Sequence, residues 1–297
     1  MRVLLPFFLS LLLSLPLLPG AGLADTDITT GYDRQFQLIG RQSSLGHRLV
    51  RSMCFAQAGI DTPRNLRVIE ESRTEIQAAL QTLLEGDPSR NLSPIQNNNI
   101  RTQLGSLELV WKALDQKAAA FLSGTAMSDE EVMKLTFKAD SLEKLWRNVS
   151  QSLELKTSVD STPENLARAR IIVTSTDQNR LLQQAGKEAC LIHLSGGGVQ
   201  TEPHVQSLNT ALATFDHNIF DLTFVRSAAV DAPPQPEAME QALFDTWQTW
   251  VGLKSLFQGV THPMDAVSLD MLLPEISFTI EYLDQDLQNT LDVFLSL

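Results

Sequence analysis

The sequence predicts an all-α protein, two tandem antiparallel four-helix bundles packed as a pseudo-dimer. Three observations lead there. Apolar residues recur at helical spacing over eight long segments, strand-like alternation is nearly absent, and rare residue types repeat at a fixed distance along the chain. The helices are expected near residues 36–59, 63–84, 93–123, 128–157, 163–195, 202–227, 236–258 and 265–296.

Punctuation at the segment edges fits this division. Thr62-Pro63 and Thr162-Pro163 each set a cap residue before a proline in the first turn. Ser128-Asp129-Glu130-Glu131 has the capping-box pattern, in which the serine and the glutamate three residues on satisfy each other's backbone N–H. Breaks fall at Gly86-Asp87-Pro88, at Gly196-Gly197-Gly198 and across Ala232-Pro233-Pro234-Gln235-Pro236. Pro274 predicts a kink in the last helix.

The repeat divides the eight helices into two sets of four. Adding 136 moves Gln42 to Gln178, Leu45 to Leu181, Cys54 to Cys190 and Trp111 to Trp247. Adding 138 moves Leu142-Glu143 to Ile280-Glu281, and Val149, Leu153 and Leu155 to Leu287, Leu291 and Val293. Leucine at heptad spacing matches itself readily; cysteine and tryptophan agreeing at one offset is more specific. The expected domains are residues 25–158 and 159–297, each a bundle with short connections. Trp111, Leu114, Phe121 and Phe137 are expected in the first core, and Phe215, Ile219, Trp247 and Phe257 in the second.

Residues 1–24 read as a signal peptide. Arg2 precedes an apolar run from Val3 to Leu18, and small residues lead to Gly22-Leu23-Ala24, so cleavage is expected after Ala24. The alternative is an uncleaved anchor, but Pro6, Pro16 and Pro19 shorten any helix below the ~20 residues that span a bilayer. The expected location is periplasmic. Without Arg2 the mature chain keeps 22 of the 23 basic residues against 35 acidic ones, a formal charge of −13 rather than −12. Such a surface disfavours nucleic acid and anionic membranes, which need clustered Lys and Arg. In an exported protein Cys54 and Cys190 are read as a disulfide, with two buried thiols as the alternative.

Leu38-Ile39-Gly40-Arg41-Gln42-Ser43-Ser44-Leu45-Gly46-His47-Arg48-Leu49 resembles the opening helix of the PilJ-type sensor module, the N-terminal domain of type IV pilus methyl-accepting chemotaxis transducers. Gly40, Arg41, Gln42, Leu45 and Arg48 match the family pattern; Ser43, Ser44, Gly46, His47 and Leu49 depart from it. Leu145 and Asn148-Val149 keep a trace of the closing helix, and Asp177-Gln178-Asn179-Arg180 stands where the second copy would open. The resemblance implies helical bundles that sense small ligands and relay the result to a signalling domain. In nitrate-responsive relatives an arginine on this helix grips the anion at a dimer interface; the corresponding residues here are Ser43 and Asn179.

At about 100° per residue, Ser43, His47, Val50 and Cys54 share one stripe, and Asn179, Gln183, Gly186 and Cys190 share the equivalent one. If the halves pack as a built-in dimer the stripes face each other, as isologous patches do, and Cys54 is bonded to Cys190. A small molecule or anion would then meet Arg41, Gln42, Ser43, His47 and Arg48 opposite Gln178, Asn179 and Arg180. A plainer reading has Arg41 and Arg48 tying helices together through carboxylates such as Glu75 or Glu143.

Motifs for catalysis are missing from the sequence. It holds no phosphate-binding glycine loop, no Gly-x-Ser-x-Gly, no His-Glu-x-x-His, no Cys-x-x-Cys and no Glu-x-x-His di-iron signature. His193, His204, His217 and His262 lack ligand spacing, so no metal or other cofactor is expected. The expected function is a non-enzymatic, soluble sensory or ligand-binding protein. With no later span to carry a signal inward, it would act through a separate envelope or receptor partner. The rival expectation is a helical accessory subunit of an envelope complex with no small ligand.

Overall fold

A computed structural model describes residues 23–90, 92–158, 162–196, 201–225, 237–261 and 266–296. The apolar run of the expected signal peptide lies outside them, and no described helix is long and apolar enough to cross a membrane. The described chain is all-α: α1 (Leu23–Gln57), α2 (Thr62–Glu85), α3 (Asn98–Leu122), α4 (Asp129–Lys134), α5 (Thr136–Ser158), α6 (Pro163–Leu194), α7 (Thr201–Phe220), α8 (Glu237–Thr261) and α9 (Ala266–Leu295). A π-helical turn at Asp221–Val225 prolongs α7. The only strand-like pairing among the described residues is an isolated bridge between Asp87 and Leu92.

Four boundaries differ from expectation, each for a local reason. Helix α1 starts at Leu23 instead of residue 36, and its early turns bury Asp33, Gln35 and Phe36. Helix α3 starts five residues late, because the Asn97 side chain caps it by accepting from the backbone N–H of Asn99 and Ile100. Asp61 rather than Thr62 is the N-cap of α2, with φ of 36°. The expected helix 128–157 is two helices: Ser128 and Glu131 form the capping box of α4, and the chain breaks at Leu135. That break rotates Phe137 outward to 74% exposure, and Trp146 takes the core position expected of it. Helix α9 runs through Pro274 without interruption.

Helix α1 packs against α2, α5 and α6, and α3 packs against α2 and α5. In the second half α6 packs against α7 and α9, and α8 against α7 and α9. The most extensive pairing in the molecule is α1 with α6.

Burial repeats along the chain. Ile100, Leu104, Leu107, Trp111, Leu114 and Ala118 are the buried stripe of α3; adding 139 gives Met239, Leu243, Thr246, Trp250, Leu253 and Phe257, all buried on α8. Leu135, Ala139, Leu142, Trp146, Val149 and Leu153 are buried, and so are Leu273, Ser277, Ile280, Asp284, Leu287 and Leu291, each 138 residues on. The tryptophan match shifts accordingly. Trp247 and Phe121 are only half-buried, whereas Trp111 and Trp250 are both buried. Trp111 Nε1 donates to Gln77 at 3.2 Å and Trp250 Nε1 to Asp216 at 3.1 Å, and the second pair stands 139 residues beyond the first. Three extra residues in the α6–α7 connection account for the change from 136 to 139.

Candidate functional site

Two contacts fix how α1 and α6 lie. Cys54 and Cys190 are disulfide-bonded with 6.1 Å between their Cα atoms. One end away, a Cβ on Gly40 would stand 2.7 Å from Cβ of Thr176, so only glycine allows that approach. Both pairs are separated by 136 residues, and on each helix the two anchors are 14 apart, about 21 Å at 1.5 Å per residue. The helices therefore run side by side in the same direction with equivalent residues facing. Gly186 lets Arg51 cross at this seam: a Cβ there would meet Arg51 Cδ at 2.8 Å.

Along the seam the two helices bury polar side chains where the other helices bury apolar ones. Gln42, Ser43, His47, Arg48, Gln178, Asn179 and Arg180 are all buried, and Arg41 nearly so. The expected site residues thus come together on two adjoining helices. What they do there differs between the cations and the amides.

The cations are paired with carboxylates. Arg41 donates to Glu75 at 3.1 Å and to Asp284 at 2.9 Å. Arg48 reaches Glu71 at 3.4 Å and Glu281 at 2.8 Å, and Arg51 donates to the same Glu281. From the other side, Arg180 lies 3.4 Å from Glu143 and 2.5 Å from Asp177, and Lys187 contacts Asp140 at 2.8 Å and Glu188 at 3.1 Å. The pattern is reciprocal. Helix α1 sends arginines to α9 of the second half, while α6 sends Arg180 and Lys187 to α5 of the first.

Burial would raise the Glu281 carboxyl, but Arg51 and Arg48 outweigh it and hold it at about 2. Glu143 is also held at about 2, its burial outweighed by His47, Arg180 and Arg147. Burial pulls Arg51 below its ordinary value even with Glu281 beside it; guanidinium remains cationic at such a site. Burial, and then the Lys187 charge, lower His47 below 6.5. Neutral His47 donates from Nε2 to Glu143 at 3.0 Å, which leaves Nδ1 a bare acceptor 3.9 Å from Asp140.

The amides are mostly unanswered. Both side-chain polar atoms of Gln42 and of Gln178 are buried without a hydrogen-bond partner, as are Asn179 Oδ1, Gln183 Oε1, His47 Nδ1 and two nitrogens of Arg51. Each such atom costs roughly 1–3 kcal/mol if nothing meets it. Gln42 and Gln178 are equivalent at 136, so the orphaned groups gather about one line. Ser43 caps back onto Gly40 O at 2.7 Å and offers the seam little.

The expected site omitted Lys187, Asp140, Glu281 and Asp284. Glu281 was reachable, as the residue 138 beyond Glu143, and so was Lys187, as the cation 136 beyond Arg51; Asp140 and Asp284 follow no local motif. His204 pairs with Glu188 at 2.6 Å and His217 stands 3.5 Å from Asp221, and the described residues contain no cluster of three or more His, Cys, Asp or Glu able to hold a metal. An open groove along α7, between Glu202 and Thr214, lies on the outside of one helix and away from the seam. No family model matches the chain, and comparison with curated proteins gives no match.

Proposed function

We propose that this chain is an exported, non-enzymatic sensory or ligand-binding protein made of two fused PilJ-type four-helix bundles, residues 25–158 and 159–297, packed as a built-in dimer about α1 and α6. Support for the duplication comes from the burial stripes that recur at 136, 139 and 138. Support for an exported chain comes from residues 1–24 and from the Cys54–Cys190 bond, which suits an oxidising compartment.

The observation that carries the ligand reading is the set of orphaned polar atoms on Gln42, Gln178, Asn179 and Gln183. A folded protein rarely leaves such groups unanswered, and a small hydrogen-bonding molecule between equivalent amides would satisfy them from both halves at once. Arg41 and Arg48 support it less than their sequence pattern promised, since both are occupied by carboxylates. Binding would act on how the two halves sit at the seam, and a separate protein would read the result.

One observation favours the rival, an accessory subunit with no small ligand: Arg41, Arg48, Arg51, Arg180 and Lys187 all pair within the chain. A thermal-shift screen with small anions and neutral metabolites separates the two. A ligand selective for the folded state raises Tm by mass action, and that rise should vanish in Gln42→Leu/Gln178→Leu. A silent screen, with the double variant as stable as the parent, would favour the accessory subunit.

A further inference from the structure

The two-copy reading supplies an internal control for the surface. Residues 138 apart on α5 and α9 are equivalent, and their buried sets coincide. Their outer faces do not. Met271, Phe278 and Tyr282 lie within about 40° of one another on α9 at 100° per residue, opposite the buried Ile276, Ile280, Leu283 and Leu287. They are 68%, 55% and 56% exposed. Their equivalents in the first half are Met133, Asp140 and Lys144. Lys144 is an exposed polar residue and Asp140 a half-exposed carboxylate that meets Lys187 at 2.8 Å, with Phe137 exposed beside them.

The charge that α9 itself places around this stripe is one-sided. Helix α9 carries Asp270, Glu275, Glu281, Asp284, Asp286 and Asp292 and no Lys, Arg or His, whereas α5 mixes Lys138, Lys144, Arg147 and Lys156 with its acids. Asp270 and Glu275 are exposed beside the stripe, while on α2 Asp61 and Glu71 are met by Arg64 at 3.7 Å and by Arg48 at 3.4 Å. Arg64 reaches the patch, its guanidinium 4.9 Å over the Phe278 ring. That contact shows the chemistry the ring accepts, a cation held against an aromatic face.

We propose that the outer face of α9, centred on Phe278 and Tyr282, docks a partner protein through an amphipathic helix whose apolar ridge is flanked by Lys or Arg. The apolar stripe would take the ridge, as helix-in-groove partners do, and the acidic rim would take the flanks. A second copy of this chain would bring the same acidic rim against itself, and anionic lipid would meet like charge. The proposal rests on the two-copy reading for its comparison, but its test does not.

The test uses the full chain and fluorescence anisotropy with two labelled helical peptides, one of Leu and Lys at heptad spacing and one of Leu and Glu. The Leu/Lys peptide should bind saturably and the Leu/Glu peptide should not. Giving α9 the first half's residues, Phe278→Asp with Tyr282→Lys, leaves net charge unchanged and should weaken binding at least 10-fold with Tm unmoved. Phe137→Ser, at a still more exposed aromatic in the first half, should leave binding intact. Absence of binding, or binding indifferent to the double substitution, overturns the proposal. So does sedimentation as a dimer that the double substitution dissociates, or binding to zwitterionic vesicles that it abolishes. In any of these cases the duplication and the seam stand or fall by their own measurements.

Discussion

The α3 and α8 stripes are apolar, whereas α1 and α6, equally buried, set polar side chains among their apolar ones. Helix α3 buries Ile100, Leu104, Leu107, Trp111, Leu114 and Ala118, and α8 matches it with a single hydroxyl, Thr246. Over similar lengths α1 buries Gln42, His47, Arg48 and Arg51, and α6 buries Gln178, Asn179, Gln183, Lys187 and Glu188. Apolar stripes are forgiving about rotation and sliding. A buried cation tolerates neither, because a slip of one residue strands it without its carboxylate. The apolar stripes thus supply most of the drive to pack. The seam specifies which helices meet and in what register, at some cost in stability.

If that contrast is right, the seam should respond to acid far more than the cores do. Glu143 and Glu281 titrate at about 2 when folded against 4.5 ordinarily. Their folded values are depressed, so their contribution is complete above pH 4.5 and is lost as pH falls toward 2, about 3 kcal/mol for each. His47, also depressed, adds a loss of the same sign that begins as pH falls through 6.5. Chemical denaturation at a series of pH values should show unfolding free energy falling on that course; a flat profile from neutrality to pH 3 would remove the seam's special status.

Removing one partner should cost almost as much. Glu281→Ala leaves Arg48 and Arg51 buried without their shared carboxylate, and about 3–5 kcal/mol is expected. Replacing the set together, Arg48→Met and Arg51→Met with Glu281→Leu, should recover most of that loss. Thermal melts of the three proteins measure both, and a Glu281→Ala Tm within a degree or so of the parent would contradict the pairing. Cys54→Ser/Cys190→Ser should lose about 2–4 kcal/mol by freeing a loop of 136 residues in the unfolded chain. Gly40→Ala should be the mildest, about 1–2 kcal/mol, since crowding against Thr176 is partly offset by better helix propensity. The same change at Gly105, with nothing within 4 Å, should stabilise slightly.

Much of this was legible in the chain. The helices follow from apolar spacing, and the facing of Cys54 and Cys190 from the repeat at 136, whose tryptophan match was fortuitous. Where the reading failed, the cause was a change of phase that no periodicity announces. Leu135 breaks one expected helix and turns Phe137 outward, and three residues near Gly196 shift the partner of Trp111 from Trp247 to Trp250. The fate of the arginines was harder still. Arg41 and Arg48 take Asp284 and Glu281, over 230 residues away, so their motif could suggest a ligand contact but could not reveal which carboxylates already stand there.

The central claim is that α1 and α6 lie parallel, in register at 136. It can be read without the native disulfide. In a Cys54→Ser/Cys190→Ser background, Ser43→Cys with Asn179→Cys, equivalent positions one turn past the Gly40–Thr176 contact, should crosslink within the chain on mild oxidation, shown by a linked α1–α6 peptide in mass spectrometry. Gly40→Cys with native Cys190, in a Cys54→Ser chain, should not, because those residues stand at opposite ends of the seam, about 21 Å apart. Failure of the first pair, or crosslinking of the second, would contradict the register and the built-in dimer that depends on it.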